Sequence, residues 1–293
     1  MLQQVKFLAS KPQFRDAPVR TAMRLGAWRV HCLLSQGATI ELASTPMRMT
    51  LPPQWHGHPK LLYTFGWQFD EELPFLATRL RKGDTVFDIG ANIGTWSLIL
   101  SHAVGAAGRV FAYEPARATF DALSDNLSLN AAPNIVASRC AVSDARGTLR
   151  LYHDVDASRN SLGRTRTVSS GDFEEVPAVT LDALATDLAI DALDFIKIDV
   201  EGAEPLAFAG GQATIERFTP VILFEVVPKA LGALGFSYDA SWRILAELGY
   251  EFYGLESGAL RRVAACPVDG GNFWAIHVLS RDARARFEVP DLG

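Results

Sequence analysis

Asp88, Gly90, Asn92 and Gly94 recur at every second position in the run VFDIGANIGTWS, and this spacing describes a loop built to meet a ligand. Glycine at 90 and 94 lets bare backbone approach closely, and Asn92 is among the few other residues that tolerate positive φ. A dinucleotide loop would read G-x-G-x-x-G, with the pyrophosphate on the following helix start. Asp88 would repel a pyrophosphate but can accept hydrogen bonds from an ammonium group or a hydroxyl, both of which S-adenosylmethionine offers. A second acid, Glu114, closes the run FAYEP twenty residues after Gly94. A carboxylate in that place can take both hydroxyls of a ribose.

The next acids lie in DFIKIDVEGAE, residues 194–204. Strand alternation puts Phe195, Lys197, Asp199 and Glu201 on one face, although a central parallel strand is normally apolar on both. Lys197 in mid-strand would be costly alone, so it is expected to pair with Asp199 or with Glu225, the acid of the following run VILFEV. Asp199 and Glu201 are placed to hold the methionine end of the cofactor, to activate an acceptor hydroxyl, or to chelate a hard divalent cation. A purely structural ion-pair network would use the same residues. Val142 and Asp144 stand where an adenine would be sandwiched and its amino group bonded, unless SDARG is a plain turn. Asn160, Ser161, Arg164 and Arg166, in a polar Gly/Ser/Arg-rich insertion, are the residues expected to touch the acceptor. His153, at the start of that insertion, is a rival base.

These groups need a scaffold that brings loop ends together. Short apolar runs at 86–89, 110–113, 135–140, 176–180, 195–200 and 221–225 alternate with helical spacing at 95–104, 117–130 and from 181. That is the pattern of an α/β fold with a mostly parallel sheet, whose ligands sit outside the carboxyl ends of the strands. A helix over 238–248 and strands at 250–254 and 272–279 suggest an antiparallel edge strand. A further helix is expected over 71–81.

At 293 residues, 48% hydrophobic and 21% charged, the chain can bury one large core. It has a formal charge of −5, and no nucleic acid is expected as a partner. Residues 1–36 carry six Lys/Arg and one Asp, so a basic extension precedes an acidic body. Residues 1–60, including a proline-rich stretch at 44–59 with His56 and His58, read as an N-terminal extension and loop, and 61–293 as the catalytic domain. The basic extension is either a solvated helix packed on the domain or a peripheral contact with an anionic membrane or glycan. The N-terminal residues lack the apolar core and cleavage site of a signal peptide, which points to a cytoplasmic protein. Cys32, Cys140 and Cys266 fit reduced thiols.

Taken together, VFDIGANIGTWS, FAYEP, DFIKIDVEGAE and LFEV resemble the FkbM family of S-adenosylmethionine-dependent methyltransferases, over about residues 69–279. The resemblance implies a seven-stranded Rossmann-like methyltransferase fold and O-methylation of a small-molecule acceptor, often a sugar or polyketide hydroxyl. By motif, Asp88, Gly90, Asn92 and Gly94 would form the cofactor loop and Glu114 would bind ribose. Asp199, Glu201 and Glu225 would lie near the reacting groups. Two other readings use the same scaffold: a nicotinamide-dependent oxidoreductase, disfavoured by the missing third glycine, and a non-catalytic binding module.

Overall fold

The computed structural model describes residues 12–54, 57–154, 160–163 and 172–290. Its centre is an eight-stranded sheet in the order β12 (Ala259–Val263), β11 (Tyr250–Glu256), β13 (Gly271–His277), β10 (Val221–Val226), β9 (Phe195–Ile198), β3 (Thr85–Ile89), β4 (Arg109–Tyr113) and β5 (Ile135–Ser138). The five parallel strands are β3, β4, β5, β9 and β10. The chain runs outward from β3 through β4 to β5, then returns to lay β9 and β10 on the other side of β3. Between β3 and β9 the order therefore reverses, and their carboxyl ends open the crevice where such sheets bind ligands.

Both faces of the sheet are covered, as parallel strands require. Val86, Val110, Phe195 and Val221 pack with Leu98, Ile99 and Leu100 of the helix Thr95–Val104. Phe87, Phe111, Ile196 and Ile222 point the other way, toward Phe208, Ile215 and Leu245. The same alternation that builds these two cores leaves Asp88 and Lys197 inside.

Two strands run antiparallel to their neighbours, one inside the sheet and one at its edge. β13 (Gly271–His277) lies between β10 and β11 (Tyr250–Glu256), antiparallel to both. β12 (Ala259–Val263) adds an eighth strand at the edge through a two-residue turn, Ser257-Gly258, in which both residues have positive φ. That conformation matches the twist of the hairpin strands it joins.

The first sixty residues contain more regular structure than the expected extension and loop. A helix, Pro18–Leu33, precedes a hairpin of β1 (Ala38–Glu41) and β2 (Arg48–Leu51), and a second helix, His58–Phe65, begins inside the proline-rich stretch. Trp28, Leu42, Met49 and Leu51 belong to the same core as Val86 and Trp274. Asn126 and Asn130 complete the join by bonding the backbone of β2: their Oδ1 atoms each accept a backbone N–H, from Thr50 and Arg48, at 2.7 Å. The side-chain amides thereby satisfy groups of an edge strand that would otherwise be left unpaired. β6 (Ala141–Val142), β7 (Gly147–Tyr152) and β8 (Phe173–Val179) form a small separate sheet. Among the described residues, no helix is long and apolar enough to cross a membrane.

Candidate active site

The glycine loop follows β3 directly. Gly90 has φ +78°, and a Cβ there would lie 1.9 Å from the carbonyl oxygen of Asp199. Only a residue without a side chain lets the ends of β3 and β9 approach this closely. Asn92 takes positive φ, 51°, which turns its backbone N–H toward Glu114 Oε2 at 3.0 Å. Glu114 Oε1 accepts the N–H of Ala116, also at 3.0 Å. Burial pushes the Glu114 carboxyl up to about 7 although both N–H groups oppose the shift.

Two cavities open from this loop. The first is lined by the acids Glu114, Asp199 and Glu201 together with the apolar Val142, Leu151 and Leu162. The second, of about 300 Å³, is lined by His58, Asp70, Trp96, Lys197 and Glu225. Gly90, Asn92, Asp199 and Glu201 border both, so the cavities meet at the junction of β3 and β9.

A buried ionic network supports that junction. Lys197 Nζ donates to the Gly90 carbonyl at 2.9 Å and lies 3.4 Å from Asp199 Oδ2 and 3.8 Å from Asp88 Oδ1. Burial pulls the ammonium pKa down, but Asp199 and Asp88 outweigh it and the net direction is upward. The expected pairing of Lys197 with Asp199 is present, and Asp88 is an additional partner.

Asp88 itself corrects the sequence reading: it lines neither cavity. It is completely buried, accepts a 2.6 Å bond from Ser97 Oγ on Oδ2, and faces Lys197 with Oδ1. As the fourth residue of a strand covered on both faces it points inward and braces the loop from beneath, with no surface exposed to either cavity. Asp144 is also displaced from its expected place. Strand β5 ends at Ser138, Ala141 and Val142 join β8 instead, and Asp144 is exposed, bonded to Ser143 Oγ and off the cavity wall. Val142 does line the first cavity. Gly94, with φ +93°, caps the helix that begins at Thr95.

Asp199, Glu201 and Glu225 converge as expected, with carboxylate oxygens within 4.8 Å of one another. The alternation behind that expectation fails after Ile198, where β9 ends; Glu201 and Gly202 both adopt positive φ, 52° and 95°. Glu204 holds the turn, its Oε1 accepting the N–H groups of Val200 at 3.0 Å and Gly202 at 3.3 Å. Burial pushes Glu204 up to about 7. Glu225 is pushed up to about 9 by burial, then by the charges of Asp199 and Glu201, and it hydrogen-bonds Asp199. The direction favours the protonated form of Glu225 beside Asp199. These three acids could ligate a hard cation, and Lys197 offsets only part of their negative charge.

The residues expected at the acceptor are dispersed. Asn160 lines the first cavity, and Ser161 is buried, donating from Oγ to the Glu201 carbonyl at 2.9 Å. Arg164 and Arg166 lie outside the described residues. His153 stands 3.8 Å from Glu174 and lines neither cavity. The sequence reading missed four groups: His58, Asp70, Trp96 and Glu204. His58 Nε2 lies 3.1 Å from Thr95 Oγ1, and Asp70 Oδ1 accepts the N–H of Glu72 at 3.0 Å. Burial, reinforced by the neighbouring Glu72, pushes Asp70 up to about 7. Glu204 next to Pro205 is a helix-start signal that could have drawn attention to it.

Comparison with known proteins bears on this arrangement. A relative from Streptomyces tacrolimicus, 31-O-demethyl-FK506 methyltransferase FkbM, is 33% identical over 162 residues, 45% of this chain and 60% of that protein. The hexuronic acid methyltransferase AglP of Haloferax volcanii is 29% identical over 148 residues, 50% of this chain and 58% of the relative. The chain thus spans less than two thirds of the length of either relative. A solved methyltransferase FkbM from Methylobacillus flagellatus aligns with 75% of this chain and 54% of its own, at 18% identity and a TM-score of 0.46. The model of the methyltransferase FkbM domain matches residues 88–252, from the buried acid of β3 into β11. The chain belongs to the FkbM methyltransferase family.

Proposed function

We propose that this protein is an S-adenosylmethionine-dependent O-methyltransferase whose acceptor is a hydroxyl of a sugar, glycan or polyketide-like natural product. One observation carries the reading: a cavity that joins apolar side chains to Glu114 and an acidic cavity share Gly90, Asn92, Asp199 and Glu201 as their common border. The donor set fits the cofactor. Val142, Leu151 and Leu162 offer an apolar slot for a base, Glu114 a buried carboxyl for a ribose, and the Asp199 cluster negative charge for a cationic end. Bound there, the cofactor supplies an electrophilic methyl group on a sulfonium.

The chain's own residues then have to align a hydroxyl and take its proton. Burial and acidic neighbours favour the protonated form of Glu225. The base role is assigned to Asp199, which borders both cavities and stands 3.4 Å from Lys197. His58 and Trp96 supply the facing wall of the acceptor cavity. The relatives named for O-demethyl-FK506 and for hexuronic acid support an oxygen acceptor on a small molecule or sugar.

Calorimetric titration with S-adenosylmethionine, followed by tritiated-methyl transfer to a panel of sugars and polyketide alcohols, tests the proposal. Micromolar cofactor binding is expected. Asp199→Asn is expected to lose about 10²–10⁴-fold in transfer rate while keeping cofactor affinity within about tenfold. Absence of cofactor binding, or a fully active Asp199→Asn, would overturn it.

A further inference from the structure

The helix Pro18–Leu33 has two opposed apolar faces, and the fold uses one of them. Thr21, Trp28 and Cys32 are buried against the body of the protein. Trp28 Nε1 donates to the Gln54 carbonyl at 2.8 Å, and its ring lies 5.2 Å from that of Tyr63. At 100° per residue, Val19, Met23, Val30 and Leu33 fall on the opposite side, in a stripe that Leu34 continues. These five side chains are between 53% and 73% exposed. Among the described residues they are five of the eleven large apolar side chains that are exposed, so the apolar surface is concentrated here.

The flanks of the stripe are basic. Arg20 and Arg29, both exposed, lie about 90° to either side of it. The helix sequence PVRTAMRLGAWRVHCL contains no acidic residue. Asp16 and Glu41, both exposed and outside the helix, line a cavity with Arg20, Arg24 and Thr21. Arg24 is turned inward, donating from Nε to the Tyr63 carbonyl at 2.5 Å.

We propose that this helix lies on an anionic phospholipid surface, with Val19, Met23, Val30, Leu33 and Leu34 entering the headgroup region and Arg20 and Arg29 reaching lipid phosphates. An apolar stripe bordered by cations whose stems can bend toward the headgroups is the pattern of an interfacial helix. A second copy of the chain fits the same face less well. Stripe-to-stripe packing of two such helices sets arginines against arginines, with no acid on either to balance them. The inference does not depend on the proposed reaction. The docked helix rests on His58–Phe65, whose first residue lines the acidic cavity.

The test is co-sedimentation of the full chain with vesicles of phosphatidylcholine alone and of equal parts phosphatidylcholine and phosphatidylglycerol. Binding to the anionic vesicles is expected, weakening as salt rises and reduced at least about tenfold in the double variant Met23→Asp/Leu33→Asp. Both positions are exposed, so this variant is expected to retain the far-ultraviolet circular dichroism and melting temperature of the parent. A conservative control, Met23→Leu/Leu33→Met, is expected to bind like the parent. The proposal is overturned if the chain ignores both vesicles, if it binds neutral and anionic vesicles equally, or if the Asp variant binds undiminished. It is also overturned if sedimentation velocity shows a dimer that the Asp variant dissolves while vesicle binding is absent.

Discussion

Replacing Lys197 with methionine keeps most of the side-chain volume and removes one buried ammonium. That ammonium donates to the Gly90 carbonyl at 2.9 Å and stands 3.4 Å from Asp199 and 3.8 Å from Asp88. Asp199 is partly open to the cavity and can recover by hydration. Asp88 cannot, because it is fully buried and its Oδ1 has no hydrogen-bond partner. Stranding one member of a buried ion pair costs roughly 3–5 kcal/mol, and that is the expected loss of stability near pH 8. The loss has a pH signature. Burial raises the Asp88 carboxyl and Lys197 opposes the rise, so removing Lys197 raises it further. A carboxyl with a raised folded pKa favours the folded state below that value, and its contribution drains away as pH climbs through it. The variant should therefore approach the parent as pH falls toward about 5. Urea unfolding of both proteins at the two pH values measures the gap. Adding Asp88→Asn to the methionine variant, which leaves no charge to strand, should recover part of the loss. A gap under about 1 kcal/mol near pH 8, or one that does not change with pH, would refute the reasoning.

Glu225 gives a second pH test. Its pKa is pushed from an ordinary 4.5 up to about 9, so the folded state holds an extra proton between those values, and stability falls as pH rises through that window. Glu225→Gln cannot ionise and should flatten the decline in melting temperature across that window, as a pH series of thermal melts would reveal; an unchanged slope would count against the raised pKa. Gly90→Ala places a Cβ 1.9 Å from a backbone oxygen at φ +78°. The ends of β3 and β9 must part, and the variant is expected to lose about 2 kcal/mol or more in urea unfolding, together with cofactor affinity in calorimetry; parent-like stability would mean that the approach of the two strands is not constrained.

Much of the sheet was legible because parallel strands covered on both faces are written as continuous apolar runs. VFDI, VFAY, FIKI and VILFEV each became a strand, and the helix expected from Thr95 runs to Val104 as read. β12 was missed although its signal was present, since Ser257-Gly258 between two short runs is a hairpin turn with positive φ at both positions. The β1–β2 hairpin was hidden for a different reason. β2 has its backbone partly satisfied by Asn126 and Asn130, more than seventy residues later, and no local pattern announces that pairing.

Residue types near the site proved easier to read than their directions. Period-two alternation placed Asp199 and Glu201 on one face, and they do meet at one cavity border, but not through alternation. The strand stops at Ile198, and a left-handed Glu201-Gly202 turn tied to Glu204 brings the carboxylate round. Asp88 shows the converse. Its place in the loop motif suggests a ligand contact, whereas the strict alternation of a fully covered strand sends it beneath the loop, where Lys197 links it to Gly90 and Asp199. A charged residue inside a parallel strand is thus a sign of what holds a site in place, and the acid that meets the ligand belongs where the strand has already ended.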